Sequence, residues 1–289
     1  MVAAFSCSAR ARQAAPKHSL KPNNMPDCSV LILSCDRYRD LWPPVTTLFN
    51  RYWPDCPWPK YLASDMPPPA CEGFVPLGAG VTGLDWSSVL QRVLAQIPTS
   101  HVLLFLDDFF LTARADTDAV HAVWAEMQRL HAGHVRLVPH PRLLRAVPGS
   151  GLLGEHVPGL PYRACLQAGF WRRCLLESLL RTGESPWQFE VAGSARSEAT
   201  AERFLAAWHN PVPYFDVLER GKWLPRGVRL CRRENLVVDF SIRPQITLTD
   251  LVRRCWAQLF SFGVEALPQT WRGRIRTHRQ AAKARRASC

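Results

Sequence analysis

Two adjacent carboxylates, Asp107 and Asp108, directly follow the run HVLLFL at residues 101–106. So nearly continuous an apolar run reads as a strand buried on both faces. In an open α/β sheet, ligands gather beyond the carboxyl ends of such strands. Two acids side by side there repel and shift each other's proton affinity unless a cation or a base intervenes. A divalent ion, Mg²⁺ or Mn²⁺, resolves that repulsion, bridges the oxygens of a diphosphate and neutralises it as it departs. The plainer alternative is that one Asp caps the following turn and the other faces water.

A general base must be a carboxylate within reach of the hydroxyl it serves, preferably in a partly dry place. Glu184 and Glu190 in GESPWQFEVAGS are the candidates. Trp187 and Phe189 beside Glu190 would desolvate it, whereas Glu184 could simply help cap a helix. Both could also be structural. In LQAGFWRR, Gln167 precedes two small residues that leave room for a ligand, or it satisfies buried backbone groups. Arg172 or Arg173 could pair with phosphate. Arg92 lies in the segment before the acidic strand, and Lys222 sits near a turn in YFDVLERGKW. None of the nine His has ligand spacing. No P-loop, GxGxxG or GxSxG motif is present, which disfavours ATP hydrolysis, dinucleotide binding and serine-hydrolase chemistry.

The elements that must position these residues alternate. CSVLILSCD (28–36) reads as a buried strand, followed by a helix capped by Asp40 with Pro43 and Pro44 in its first turn. PKYLASD (59–65) reads as a short strand, and residues 66–83 as a Pro- and Gly-rich loop. Asp85 caps a helix through Ile97, residues 101–111 form a strand, Asp116 caps a further helix, and HVRLVP (134–139) is the next strand. Helices are expected at 170–180 and 198–208, short strands at 212–218 and 228–232, and an amphipathic helix over 249–270. This alternation predicts an α/β domain, a mostly parallel twisted sheet with helices on both faces.

One such domain accounts for most of the 289 residues. A leader (1–27) is expected to be disordered, the domain to span 28–248, and the tail 271–289 to be basic and disordered. The formal charge of +12 is concentrated at the ends: WRGRIRTHRQAAKARRASC has no acid. The ten Cys form no C-x-x-C pair and no zinc pattern, and several lie in apolar runs. No secretory signal and no stretch of ~20 apolar residues is seen, so a reducing, cytoplasmic setting is expected. The terminal amphipathic helix with its basic tail could lie on the inner face of an anionic membrane, or pack on the domain.

In order and spacing, ILSCD, LLFLDDFF, LQAGFWRR and ESPWQFE resemble the GT-A-type glycosyltransferases, and among them bacterial proteins of polysaccharide assembly; the resemblance spans roughly residues 29–234. It implies a nucleotide-sugar donor, with Ser34 and Asp36 at the nucleotide and Asp107 and Asp108 holding a divalent metal and the donor phosphates. It places Arg92 beside the donor, where Gln167 and Arg172 are further candidates from their own residues, and implies a later carboxylate, Glu190 or Glu184, as catalytic base. Trp187 would stack on a sugar or anchor its loop. The acceptor would be a glycan or lipid-linked hydroxyl of the cell surface. The family's acidic motif is Asp-any-Asp; adjacent aspartates can reach one ion only where the strand ends or bends. Two rivals remain: a nucleotidyltransferase, which would want a Gly-rich loop after the first strand, and a non-catalytic protein binding anionic partners through its tails. No specific nucleic-acid module is visible.

Overall fold

The computed structural model describes residues 27–140, 144–159, 162–247 and 249–250. The expected leader (apart from Asp27), the helix at 251–270 and the basic tail lie outside the described residues. Asp27 already belongs to the fold, since its carboxylate accepts the Ser100 N–H at 3.0 Å.

The chain runs β1 (Cys28–Leu33), α1 (Trp42–Tyr52), β2 (Lys60–Ser64), β3 (Val75–Gly78), α2 (Trp86–Leu94), β4 (His101–Leu106), β5 (Phe109–Leu111), α3 (Thr117–Arg129) and β6 (His134–Arg136). It continues β7 (Leu144–Ala146), β8 (Leu153–His156), β9 (Gly169–Arg172), α4 (Arg173–Leu179), α5 (Pro186–Ser197), β10 (Phe204–Ala207), β11 (Tyr214–Asp216), β12 (Leu218–Glu219), β13 (Lys222–Trp223) and α6 (Pro225–Arg233). Nine strands form one sheet in the order β3-β2-β1-β4-β9-β6-β10-β8-β7. The first four are parallel, β9 runs against both β4 and β6, and β10 is parallel to β6.

Alternation along the buried strands sorts side chains into two cores. Val30, Ile32, Leu103 and Phe105 pack with α1 and α3 on one face. Leu31, Leu33, Val102 and Leu104 pack with α2 and α4 on the other. The expected α/β architecture, a mostly parallel sheet covered on both faces, is the observed one. Asp85 caps α2 by accepting the Ser88 N–H, and Asp116 caps α3 by accepting that of Ala119, as the sequence predicts.

Several local expectations are corrected. The 66–83 loop contains β3, a parallel edge strand beside β2. Asp40 does not cap α1; it is bound by Arg243 at 2.6 Å, and the prolines of α1's first turn need no N–H partner. The 101–111 strand is broken at Asp107–Asp108, and its second piece, β5, leaves the main sheet to pair with β11. The 170–180 helix begins as strand β9: Phe170 and Trp171 enter opposite cores, which requires period two. The 198–208 helix is instead the turn after α5, which ends at Ser197, and strand β10, whose Phe204 and Leu205 also point to opposite cores. The 228–232 strand is helix α6, opened by Pro225 in its first turn.

Candidate active site

β1 and β4 are adjacent, parallel and paired through Leu33↔Leu106. Ser34 and Asp107, the next residues, therefore leave the sheet side by side. The chain departs β1 toward β2 and β3 on one side and returns as β4 on the other. This reversal of strand order opens a crevice that a continuous sheet would close. Across it the Ser34 hydroxyl donates to Asp107 Oδ2, and Trp42 Nε1 donates to Ser34 Oγ at 2.7 Å. β4 stops at Leu106 and Asp107–Asp108 form a turn. The pleat that would have pointed the two carboxylates oppositely is thus lost, and both line one cleft of about 630 Å³.

Ser34, Cys35, Tyr38 and Asp65 line this cleft on the β1 and β2 side, Trp86 at the start of α2, and Trp187 and Glu190 on α5. Helix α5 is set by a reciprocal capping box in which Ser185 accepts the Gln188 N–H and Gln188 accepts that of Ser185. That start turns Glu190 inward, where its Oε1 accepts the Leu166 N–H at 2.9 Å. Trp187 stays 65% exposed at the cleft mouth, an uncovered aromatic face.

Burial pushes the Asp107 carboxyl above the usual carboxylate range, against the opposing Ser34 hydrogen bond. Burial, then the neighbouring Asp107 and Asp216, likewise push Asp108 well above its usual value. Burial also raises Glu190. The Cys35 thiol is pushed up to about 11 by burial and by Asp107 and Asp65, so it stays protonated. Acids that outnumber the bases around them form a site that favours an arriving cation.

Of the residues picked from sequence, Ser34, Asp107, Asp108 and Glu190 meet in this cleft; Asp36, Arg92, Gln167, Arg172 and Glu184 do not line it. Asp36 braces the loop after β2 instead, accepting Ser64 Oγ at 2.7 Å and the Met66 N–H at 3.2 Å. Arg92 donates to the Ala79 carbonyl at 3.3 Å. Glu184 forms a two-pronged pair with Arg196 at 2.8 and 2.7 Å. Arg172 pairs in register with His101, at the opposite end of β4 from Asp107, and binds Glu202 at 2.6 Å. Lys222 binds Asp250 at 3.1 Å. Gln167 accepts the Tyr214 hydroxyl at 2.7 Å and lines a second cleft of about 530 Å³ with His140, Trp208, Asn210 and Asp216.

Asp65, Tyr38 and Arg220 line the cleft and were missed. Asp65, whose Oδ2 accepts the Asp36 N–H at 2.8 Å, ends the run KYLAS, the same strand-end signal that marked Asp36. Arg220 carried no signal beyond its place before Gly221. A third cleft, about 520 Å³ over α1 and residues 69–72, has no converging acid pair.

Among the described residues, no group of three or more His, Cys, Asp or Glu converges to hold a metal. Two carboxylates still fit Mg²⁺ or Mn²⁺, which bind through one or two protein acids and complete their shell with phosphate and water.

No family model and no curated protein matches the chain. Among solved structures it is similar to S. aureus TarS 1-349 in complex with UDP-GlcNAc, at 12% identity and TM-score 0.43, covering 67% of this chain and 58% of that one. The complex with UDP gives 11% and 0.40, over 65% and 59%. It is also similar to 2-C-methyl-D-erythritol 4-phosphate cytidylyltransferase from Thermus thermophilus, at 16% and 0.39, over 71% and 97%. The chain thus spans less than two thirds of the TarS chains.

Proposed function

We propose that this chain is a GT-A-type glycosyltransferase that moves a sugar from a nucleotide diphosphate donor to a hydroxyl acceptor in cell-surface glycan synthesis. The observation that carries the reading is the Ser34–Asp107 hydrogen bond across the strand-order reversal, with Asp108 beside it in one cleft. Asp107 and Asp108 would hold a divalent Mn²⁺ or Mg²⁺, which supplies positive charge for the departing diphosphate. Ser34 and Trp42 hold Asp107 in position. Asp65, Cys35 and Tyr38 line the nucleotide side, while Trp187 offers a ring face to a sugar at the mouth. Glu190 takes the acceptor hydroxyl's proton as the anomeric carbon bonds to that oxygen and releases the diphosphate with its electron pair.

The acceptor, a glycan or lipid-linked hydroxyl, would enter from the second cleft, whose Trp208, Asn210 and Gln167 suit an uncharged polyol. Asp216 lines the second cleft, and its charge raises the proton affinity of Asp108 and Glu190. The nucleotidyltransferase alternative is disfavoured because residues 34–41 after β1 contain no glycine. No helix among the described residues is long and apolar enough to cross a membrane. A cytoplasmic enzyme held at the inner membrane face by its basic tail is our proposal for location.

Thermal stability in the presence of UDP, GDP and CDP, with and without Mn²⁺, tests the donor site. One diphosphate at a hundredfold excess over Kd should add about 2.7 kcal/mol. The gain should require metal and vanish in Asp108→Ala, along with sugar transfer. Stabilisation by none of them, or full transfer by Asp108→Ala, would sink the assignment.

A further inference from the structure

The cleft has an electrostatic deficit that a divalent ion alone does not remove. Its charged lining comprises Asp65, Asp107, Asp108 and Glu190 against one basic side chain among the described residues, Arg220. A diphosphate brings at least two further negative charges. We infer that Arg220 is the protein's own cation for the donor diphosphate; this rests on the donor reading above.

Arg220 and Gly221 form the two-residue turn between β12 and β13, with φ of 51° and 75°. Such a turn needs positive φ at both positions and favours Asn-Gly, Asp-Gly or Gly-Gly. The positive φ is therefore a property of the turn. What the turn does not explain is an arginine, whose Cβ is crowded in the left-handed region.

The hairpin is fixed to the acid pair. The Val217 N–H donates to the Asp108 carbonyl at 2.9 Å, and the Leu224 N–H to the Val217 carbonyl at 2.8 Å. On its other edge Trp223 N–H donates to Pro244, and Ile246 N–H to Trp223, each at 2.9 Å. The turn also reaches the Tyr38 side of the cleft, since a Cβ on Gly221 would stand 3.6 Å from the Tyr38 hydroxyl.

Its neighbours are engaged: Lys222 holds Asp250, and Glu219 has its own partner. Arg220 makes no hydrogen bond or ion pair among the described residues, and its guanidinium is free to fork onto phosphate oxygens.

Arg220→Asn separates turn from ligand, because it creates the preferred Asn-Gly turn while removing the charge. Calorimetric titration with UDP, GDP and CDP and with their parent nucleosides, all with Mn²⁺, reads the effect. For the diphosphate that binds, affinity should fall about 10- to 100-fold, with nucleoside binding unchanged and Tm equal or higher; Arg220→Lys should recover part of the loss. If Arg220→Asn binds the diphosphate as tightly as wild type, the inference falls and the donor reading stands. A lowered Tm with weakened nucleoside binding would make Arg220 structural and overturn it too. Wild-type protein that binds no diphosphate overturns both.

Discussion

The two ends of β4 carry opposite electrostatic arrangements. At its amino end, charged groups have partners within the chain. Asp27 accepts Ser100 and lies 3.5 Å from His101, and against the upward push of burial those Ser100 hydrogen bonds hold its carboxyl below the usual value. Arg172 is bound by Glu202 and by the His131 carbonyl at 3.0 Å. At its carboxyl end Asp107, Asp108 and Glu190 share a cleft and all sit above their usual range. Acids at the amino end have partners within the chain, whereas Asp107 and Glu190 in the cleft keep only the Ser34 and Leu166 hydrogen bonds, an arrangement that favours an arriving cation.

The pair Asp40–Arg243 is the sharpest probe of that rule, because it is matched yet lies beside the cleft. Arg243 reaches both Asp40 oxygens at 2.7 and 2.6 Å, donates to the Arg37 carbonyl at 2.6 Å and stacks 4.0 Å from the Tyr38 ring. Arg243→Met leaves a buried, uncompensated carboxylate and should cost about 3–5 kcal/mol in urea unfolding. A loss below about 1 kcal/mol accompanied by loss of nucleotide binding would make Arg243 a ligand group and break the comparison.

Glu190 tests the unmatched end by pH. Its folded proton affinity is raised from an ordinary value of 4.5. The stability it contributes is therefore complete below that pH and is lost as pH rises through the raised value. Each tenfold difference in proton affinity is worth about 1.4 kcal/mol. Glu190→Gln should flatten the wild-type decline across this window, measured by urea unfolding at a series of pH values; an unaltered slope would contradict the assignment.

The smallest effect belongs to the matched end. Arg172→Ala should lower stability by up to about 1 kcal/mol and leave nucleoside diphosphate affinity within about twofold. A tenfold loss of affinity would restore Arg172 to donor binding.

Much of the first half was legible because its signals are local. β1 and β4 are uninterrupted apolar runs, Asp85 and Asp116 cap helices through residues three positions on, and an acid pair at a strand end marks a ligand crevice without knowledge of its neighbours. The second half misled where short segments fit two periods. Phe170–Trp171 and Phe204–Leu205 read equally as helix, and only their insertion between two cores makes them strands. In Val228–Cys231 the helical reading depended on Pro225.

By itself, then, the sequence determined the α/β alternation and the presence of Ser34, Asp107, Asp108 and Glu190 as chemically capable residues. Tertiary structure alone decided which of the polar residues meet. Strand order put Ser34 beside Asp107, the antiparallel course of β9 carried Arg172 to the far end, and the folding of α5 gave Glu184 to Arg196 while leaving Glu190 in the cleft. Caps and apolar runs are decided by neighbours within a few positions. Ionic partnership is decided by distance in space, which residues far apart in the chain acquire only once the sheet is assembled.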